Sequence, residues 1–334
     1  MPPGVDDSRM EYTTLGSTGM EVSKICLGCM SFGSSDWRPW VLDEDDARPI
    51  IERAIDLGVN FFDTANMYSA GESERVVGNV LGDYDRDELV VATKGYYQMD
   101  EANPNSGGLS RKAIDQELAN SLDRLGMDTI DLYQTHRWDY DTPIDETLAA
   151  LSDAVRRGDV RYVGTSSQWA HQFADALHTS DREGCERFAT MQNHYNLVYR
   201  EEEREMLPLC QTEGIGVVPW SPLARGYLTR PHEEMDATTR GESEDRMRQH
   251  PYTEGGGREI NERVEELAAE KGVEMAQIAL SWLFHKDSVD APIVGTTSVE
   301  HLEQAVEALD IDLSDSDLDY LEEPYEPVRV SGHE

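Results

Sequence analysis

The feature that leaves this chain fewest folds to choose from is a regular alternation of short apolar runs with one-faced helices. Eight runs read as strands: "SKICLGCM", "GVNFFDTA", "ELVVATK", "TIDLYQTH", "VRYVGTSS", "FATMQNH", "IGVVPWS" and "APIVGTT". In "SRKAIDQELANSLDRLG" the apolar residues Ile114, Leu118, Leu122 and Leu125 recur at helical spacing, Ser110 stands where a cap belongs, and Gly126 stands where a left-handed stop belongs. Ile144, Leu148, Leu151 and Val155 repeat that face, as do Val299, Leu302, Val306 and Leu309. Strands this apolar, alternating with such helices, call for a parallel sheet sheathed by helices. Eight of them favour a closed (β/α)8 barrel over an open doubly wound sheet. The lead-in "YTTLGSTGMEVSK" adds an N-terminal β-hairpin. The expectation is an α/β fold: one (β/α)8 TIM barrel domain over residues 1–334, with its core at about 12–322.

Two irregular segments, 95–110 and 230–257, leave the C-terminal ends of strands, the face on which such barrels place their chemistry. Paired helices near 260–267 and 276–283 precede the last strand. The acidic tail, 310–334, carries Pro324 and Pro327 and is expected to run extended over the surface.

Charge narrows the partners. The chain has 67 acidic and 29 basic residues, only five of them lysine, for a formal net charge of -38. At low ionic strength that charge repels itself, whereas molar salt shortens the screening length to roughly 3 Å. Because the acids are spread along the whole chain, the composition is read as adaptation to high salt and not as one docking patch. Nucleic acid is not an expected partner, since phosphates need basic surface. No signal-like start and no apolar run near the roughly 18 residues of a membrane span are present, so a cytoplasmic protein without membrane contact is expected. Cys26 and Cys29 show C-x-x-C spacing, but inside a strand they face opposite ways and read as small core hydrophobes.

Polar residues then collect at the strand ends: Asp63, Lys94, His136, Ser166 and Ser167, Gln192, and Trp220 with Ser221. Each alone has an ordinary structural reading, as a cap, a satisfied histidine or a solvent-reaching lysine. On one rim they converge. The stretches "NFFDTANMY", "VVATKGY" and "DLYQTHRWD" resemble the motifs that carry the Asp, Tyr, Lys and His tetrad of the aldo-keto reductases. The likeness continues through "TLGSTGMEVSKICLGCMSFG", "MQNHYNL", "PWSPLARGYLT" and "PIVGTTSVEHLEQAVEAL", and is nearest to the bacterial broad-carbonyl branch related to potassium-channel β subunits.

The resemblance implies reversible, NAD(P)H-dependent reduction of an aldehyde or ketone. It makes Tyr68 the proton donor, Lys94 the ammonium that lowers the tyrosine's pKa, Asp63 the partner of that lysine, and His136 the group that orients the substrate oxygen. It assigns Ser166, Ser167, Gln192 and Trp220 to the nicotinamide end of the cofactor, and Met30 to the cofactor site. Ser221, Pro222, Leu223, Ala224, Arg225 and Gly226 follow for the pyrophosphate, and Gly295, Thr297, Ser298, His301 and Gln304 for the adenosine end. No G-x-G-x-x-G fingerprint follows the first strand, which fits a barrel and not a Rossmann domain. Ser167 stands where relatives often have Asn, and Ser298 where they often have Lys or Arg to meet a 2′-phosphate. NADP(H) is favoured by family habit, with NAD(H) left open by Ser298. Loop aromatics Trp37, Trp40, Tyr96, Tyr97, Trp138 and Tyr140 are candidates to line a pocket for a small-molecule carbonyl. A cofactor-binding regulatory subunit is the alternative, since the scaffold serves that way in the channel subunits. A metal-dependent hydrolase would need a clustered His and carboxylate set that the motifs do not supply.

Overall fold

The computed structural model describes residues 10–237 and 250–333. Strands β1 (Tyr12–Thr14) and β2 (Glu21–Ser23) pair antiparallel as the expected hairpin. The barrel strands are β3 (Cys26–Gly28), β4 (Phe61–Asp63), β5 (Val90–Gly95), β6 (Ile130–Thr135), β7 (Val160–Ser166), β8 (Thr190–Gln192), β9 (Gly216–Val217) and β10 (Ile293–Gly295). All neighbours are parallel, in the order β10-β3-β4-β5-β6-β7-β8-β9. The two ends of that order are joined by Asp290 N–H to Val217 O at 3.0 Å and Ile293 N–H to Pro219 O at 2.9 Å, which closes the barrel.

Helices α1 (Glu44–Asp56), α2 (Glu72–Leu81), α3 (Arg111–Leu125), α4 (Ile144–Arg157), α5 (Ala170–Glu183) and α6 (Met206–Glu213) separate the strands from β3 to β9. Two helices, α7 (Gly257–Lys271) and α8 (Met275–Phe284), lie between β9 and β10, and α9 (Val299–Glu307) follows. The signals read for α3 act as expected: the Ser110 side chain accepts from Ala113 N–H, and Gly126 takes the left-handed conformation with φ 63°.

The core divides along the strand repeat of two. Cys26, Phe61, Val90, Ala92 and Leu132 form a cluster inside the barrel, with hairpin residues Leu15 and Val22 packed among them. Leu27, Phe62, Val91 and Tyr133 belong to the layer beneath the helices. Cys26 and Cys29 accordingly sit in different clusters as free thiols, and burial pushes both up in pKa. Neither is poised to ionise.

The tail departs from the extended course expected of it. Residues Asp315–Glu322 form α10, capped by Ser314 and Asp317, with Leu321 fully buried. Glu322 accepts from Trp282 Nε1 at 2.8 Å and pairs with Arg200 at 2.8 Å and with Lys286. The acidic face of this segment is therefore one side of a docked helix. In the segment 230–257, residues 238–249 lie outside the described residues. A 3-10 turn at His232–Ala237 precedes them. Among the described residues, no helix is long and apolar enough to cross a membrane.

Candidate active site

The inward parity of the strands delivers the site. Phe61 and Asp63, Val90, Ala92 and Lys94, and Leu132, Gln134 and His136 share the inward set, so each strand turns from apolar to polar as it reaches the C-terminal rim. Lys94 is fully buried and donates to Asp63 Oδ1 at 2.5 Å, to the Thr64 carbonyl at 2.7 Å and to the Tyr68 hydroxyl at 3.3 Å. All three ammonium donors thus have acceptors. Asp63 Oδ2 accepts from both Gln134 Nε2 and Gln192 Nε2 at 2.9 Å. A buried charge pair of this kind persists only when its remaining lone pairs and protons are satisfied, as these are.

Electrostatics follow from that packing. Burial works against the Lys94 ammonium, but Asp63 and Tyr68 outweigh it and hold its pKa above the ordinary lysine value. Tyr68 differs from the sequence expectation of a lowered pKa. Burial raises its phenol, Lys94 pulls it down, and the net direction in the protein alone is upward. His136 is pushed well below its usual value by burial, then by Lys94 and Arg137, so its imidazole is neutral at pH 7. Its Nδ1 is buried without a hydrogen-bond partner. Orphaned buried N–H groups are rarer than under-satisfied acceptors, and on that ground the proton is assigned to Nε2. The His136 ring stands edge-on to Tyr68, with centroids 5.9 Å apart.

The turn from Thr64 to Gly71 carries Tyr68 over the mouth. Thr64 Oγ1 meets Ser73 Oγ at 2.8 Å, Asn66 N–H donates to Lys94 O at 3.1 Å, and Asn66 Nδ2 donates to Glu117 Oε2 at 3.0 Å. Ser69 and Ala70 adopt φ 50° and 53°, left-handed values that fold the chain back on itself. Of the pocket aromatics, Trp37 faces Tyr68 at 6.4 Å and Tyr97 meets His136 at 5.0 Å, with Tyr96 5.3 Å behind Tyr97. Trp37 and Trp40 are bridged by the Arg38 guanidinium, at 4.2 and 5.5 Å. Trp138 instead lines a small hollow with Leu109, Thr147 and Phe188, and Tyr140 is 68% exposed. Neither is brought to the phenol.

The residues expected at the nicotinamide end form one connected set. Ser166 Oγ donates to Gln192 O at 2.8 Å and lies 3.1 Å from Ser167 Oγ, which accepts from Trp220 Nε1 at 3.0 Å. One indole face is taken: Trp220 stacks on His194 at 4.1 Å, and His194 stacks on Tyr199 at 4.0 Å. The tail reaches this stack, where a Cβ on Gly332 would come within 2.8 Å of Trp220 Cζ2. Left-handed backbone recurs at Ser167, Ser221, Ala224 and Arg225, all non-glycine, and Pro222 and Leu223 sit inside that run. This is the backbone from which anion-binding nests are built, and Arg225 adds a cation 5.9 Å from the Trp220 ring. Serine and glutamine side chains able to bond an amide, a flat indole and an anion-type loop in sequence along the rim fit a nicotinamide dinucleotide. At the other end Gly295, Thr297 and His301 are exposed, with Ser298 and Gln304 half-buried on or before α9; Met30, also expected to touch the cofactor, is half-buried in the turn after β3. Ser298 makes no side-chain cap bond, and its N–H goes to Thr296 Oγ1 at 3.1 Å.

Sequence reading missed Gln134, Asn66 with Glu117, and Thr296. A glutamine at inward parity between Leu132 and His136 is a signal that could have found the first.

Residues 24–326 match the Aldo/keto reductase family. An aldo-keto reductase of Metarhizium robertsii is 41% identical, with 100% of this chain and 97% of that protein covered. A Schizosaccharomyces pombe protein named as an aryl-alcohol dehydrogenase is 42% identical, covering 96% and 97%. Versiconal hemiacetal acetate reductase of Aspergillus parasiticus is 40% identical, covering 96% and 98%. With the barrel, the tetrad geometry and a match over nearly its whole length, the chain belongs to the aldo/keto reductase family of NAD(P)-dependent oxidoreductases.

Proposed function

We propose that the chain, acting as one barrel domain, reduces an aldehyde or ketone to its alcohol with Tyr68 as proton donor. The observation that carries this reading is the Lys94 ammonium, fixed by Asp63 and the Thr64 carbonyl and standing 3.3 Å from the Tyr68 hydroxyl. A bound nicotinamide supplies the hydride to the carbonyl carbon. As charge grows on the carbonyl oxygen, the Tyr68 O–H delivers its proton there, and Lys94 stabilises the phenolate left behind. The upward direction of the Tyr68 pKa keeps the phenol protonated, ready to donate, at neutral pH. His136, neutral with its proton on Nε2, donates a hydrogen bond that orients the same oxygen without competing as an acid. Gln134 and Gln192 act one step back, holding Asp63 so that Lys94 keeps its place.

Ser166, Ser167 and Gln192 take the carboxamide, Trp220 takes the ring, Ser221 to Gly226 take the pyrophosphate, and Gly295 to Gln304 take the adenosine. NADP(H) is the preferred form by family habit. With the uncharged Ser298 in place of a cation, discrimination against NAD(H) is weak, because a phosphate gains most from a charged donor. The acids spread along the chain support a cytoplasmic protein working in molar salt.

The test is absorbance-monitored oxidation of NADPH and NADH with aromatic aldehydes, sugars and dicarbonyls in molar KCl, beside Tyr68→Phe. Turnover should fall by roughly a hundredfold or more in the variant. Undiminished turnover would remove Tyr68 as donor. Cofactor binding with no turnover of any carbonyl would transfer the reading to a regulatory subunit.

A further inference from the structure

The residue after His136 is a cation that the tetrad does not use. Most arginines here stand against acids, as Arg124 does with Glu74 at 2.5 Å and Arg263 with Glu259 at 2.7 Å. Among the described residues, Arg137 has no carboxylate within 4.0 Å, in a chain with 67 acidic residues. Its Nη1 donates to the His136 carbonyl at 2.6 Å, and its Nε is buried with no hydrogen-bond partner. The guanidinium lies 5.9 Å from the centre of the Tyr97 ring, which itself meets His136 at 5.0 Å. Its charge is felt by both reacting groups. After burial and Lys94, it is the third influence lowering His136, and it is a smaller one lowering Tyr68.

We propose that Arg137 is a specificity-determining residue that binds a carboxylate borne by the carbonyl substrate, at the end remote from the reacting C=O. With Nη1 held by the His136 carbonyl, the guanidinium keeps Nε and Nη2, the edge that matches a carboxylate with two parallel N–H donors. An incoming carboxylate gives the orphaned Nε–H the acceptor it lacks; because Arg137 also lines the hollow of Trp138 and Asp139, the side chain must turn out of that hollow to meet it. Tyr97, backed by Tyr96, supplies aromatic surface between this cation and His136, which suits a flat ring joining carboxylate to aldehyde. The substrate class is then an aromatic carbonyl acid, and not a neutral aryl aldehyde or a sugar. This inference rests on the reductase reading above.

The experiment compares 4-carboxybenzaldehyde with its neutral methyl ester, 4-(methoxycarbonyl)benzaldehyde, as substrates of the NADPH-loaded protein and of Arg137→Gln and Arg137→Lys. Glutamine removes the charge and keeps a polar amide, and lysine restores charge without the planar fork. Wild type should favour the acid over the ester by about tenfold or more in kcat/KM. Arg137→Gln should erase that ratio mainly through KM of the acid, with Arg137→Lys in between. An unchanged ratio in Arg137→Gln, or no preference in wild type while the ester turns over, overturns the proposal and leaves the reductase standing. Turnover of neither aldehyde by wild type brings down both.

Discussion

Asp290 takes no part in the proposed chemistry, yet it ties the hairpin to the closing strands: its Oδ2 accepts from Gly16 N–H at 3.2 Å and Val217 N–H at 3.0 Å. Burial outweighs those two bonds and pushes its pKa up to about 6. A carboxyl whose folded pKa is raised stabilises the fold most below its unfolded value near 4, and that contribution is lost as pH rises through 6. Asp290→Asn keeps an oxygen acceptor and cannot ionise. Thermal melts in molar KCl should therefore show the variant gaining about 1–3 kcal/mol over wild type at pH 8 and almost nothing at pH 3.5, below the unfolded pKa. Equal differences at the two pH values would contradict the raised pKa. At this scale legibility depended on chemistry. Asp63, Tyr68, Lys94 and His136 announce themselves by type and motif. Gln134 is an ordinary residue whose role exists only through its bond to a carboxylate 71 positions earlier.

Elements were read more securely than residues, because periodicity is a property of a stretch. The faces of α3 and α4, and the pair α7 and α8 before the last strand, follow directly from apolar spacing. Helix α10 was hidden because its acids suggested open surface, although "SDSD" holds a capping box and Leu321 an anchor. Contacts between elements stayed invisible for the same reason that Gln134 did. Helix α3 reaches the catalytic turn through Glu117, which holds Asn66 and lies 4.0 Å from Arg124, itself paired with Glu74 on α2. Glu117→Ala leaves Asn66 Nδ2 buried and unpaired, a loss of about 1–3 kcal/mol. Because that bond fixes the turn bearing Tyr68, kcat should fall by roughly tenfold with KM little changed. Steady-state kinetics beside a melt separates the roles. A lower melting temperature with full kcat would make Glu117 a brace for the helices only.

Across the whole molecule, charge is the feature that sequence conveys completely and structure adds to least, since it depends on totals. A net charge of -38 on one barrel should make stability depend steeply on ionic strength. The midpoint of thermal unfolding should rise by at least about 5 °C between 0.2 and 2 M KCl, which is about 3–4 kcal/mol for a domain of this size. A flat response would remove the salt-adaptation reading. The tail has a different consequence. Ser331 N–H donates to Tyr199 Oη at 3.0 Å, Gly332 lies against Trp220, and the His333 ring, 7% exposed, packs on Trp169 at 4.7 Å and faces Glu202 at 3.0 Å. Anything spliced on beyond that point begins from a buried imidazole beside the proposed cofactor platform. A purification handle, a fluorescent reporter or a resin attachment at the carboxyl end would pull on the indole, whereas the hairpin, whose Leu15 and Val22 pack against Cys26, Phe61 and Val90, belongs to the end of the barrel away from the tetrad.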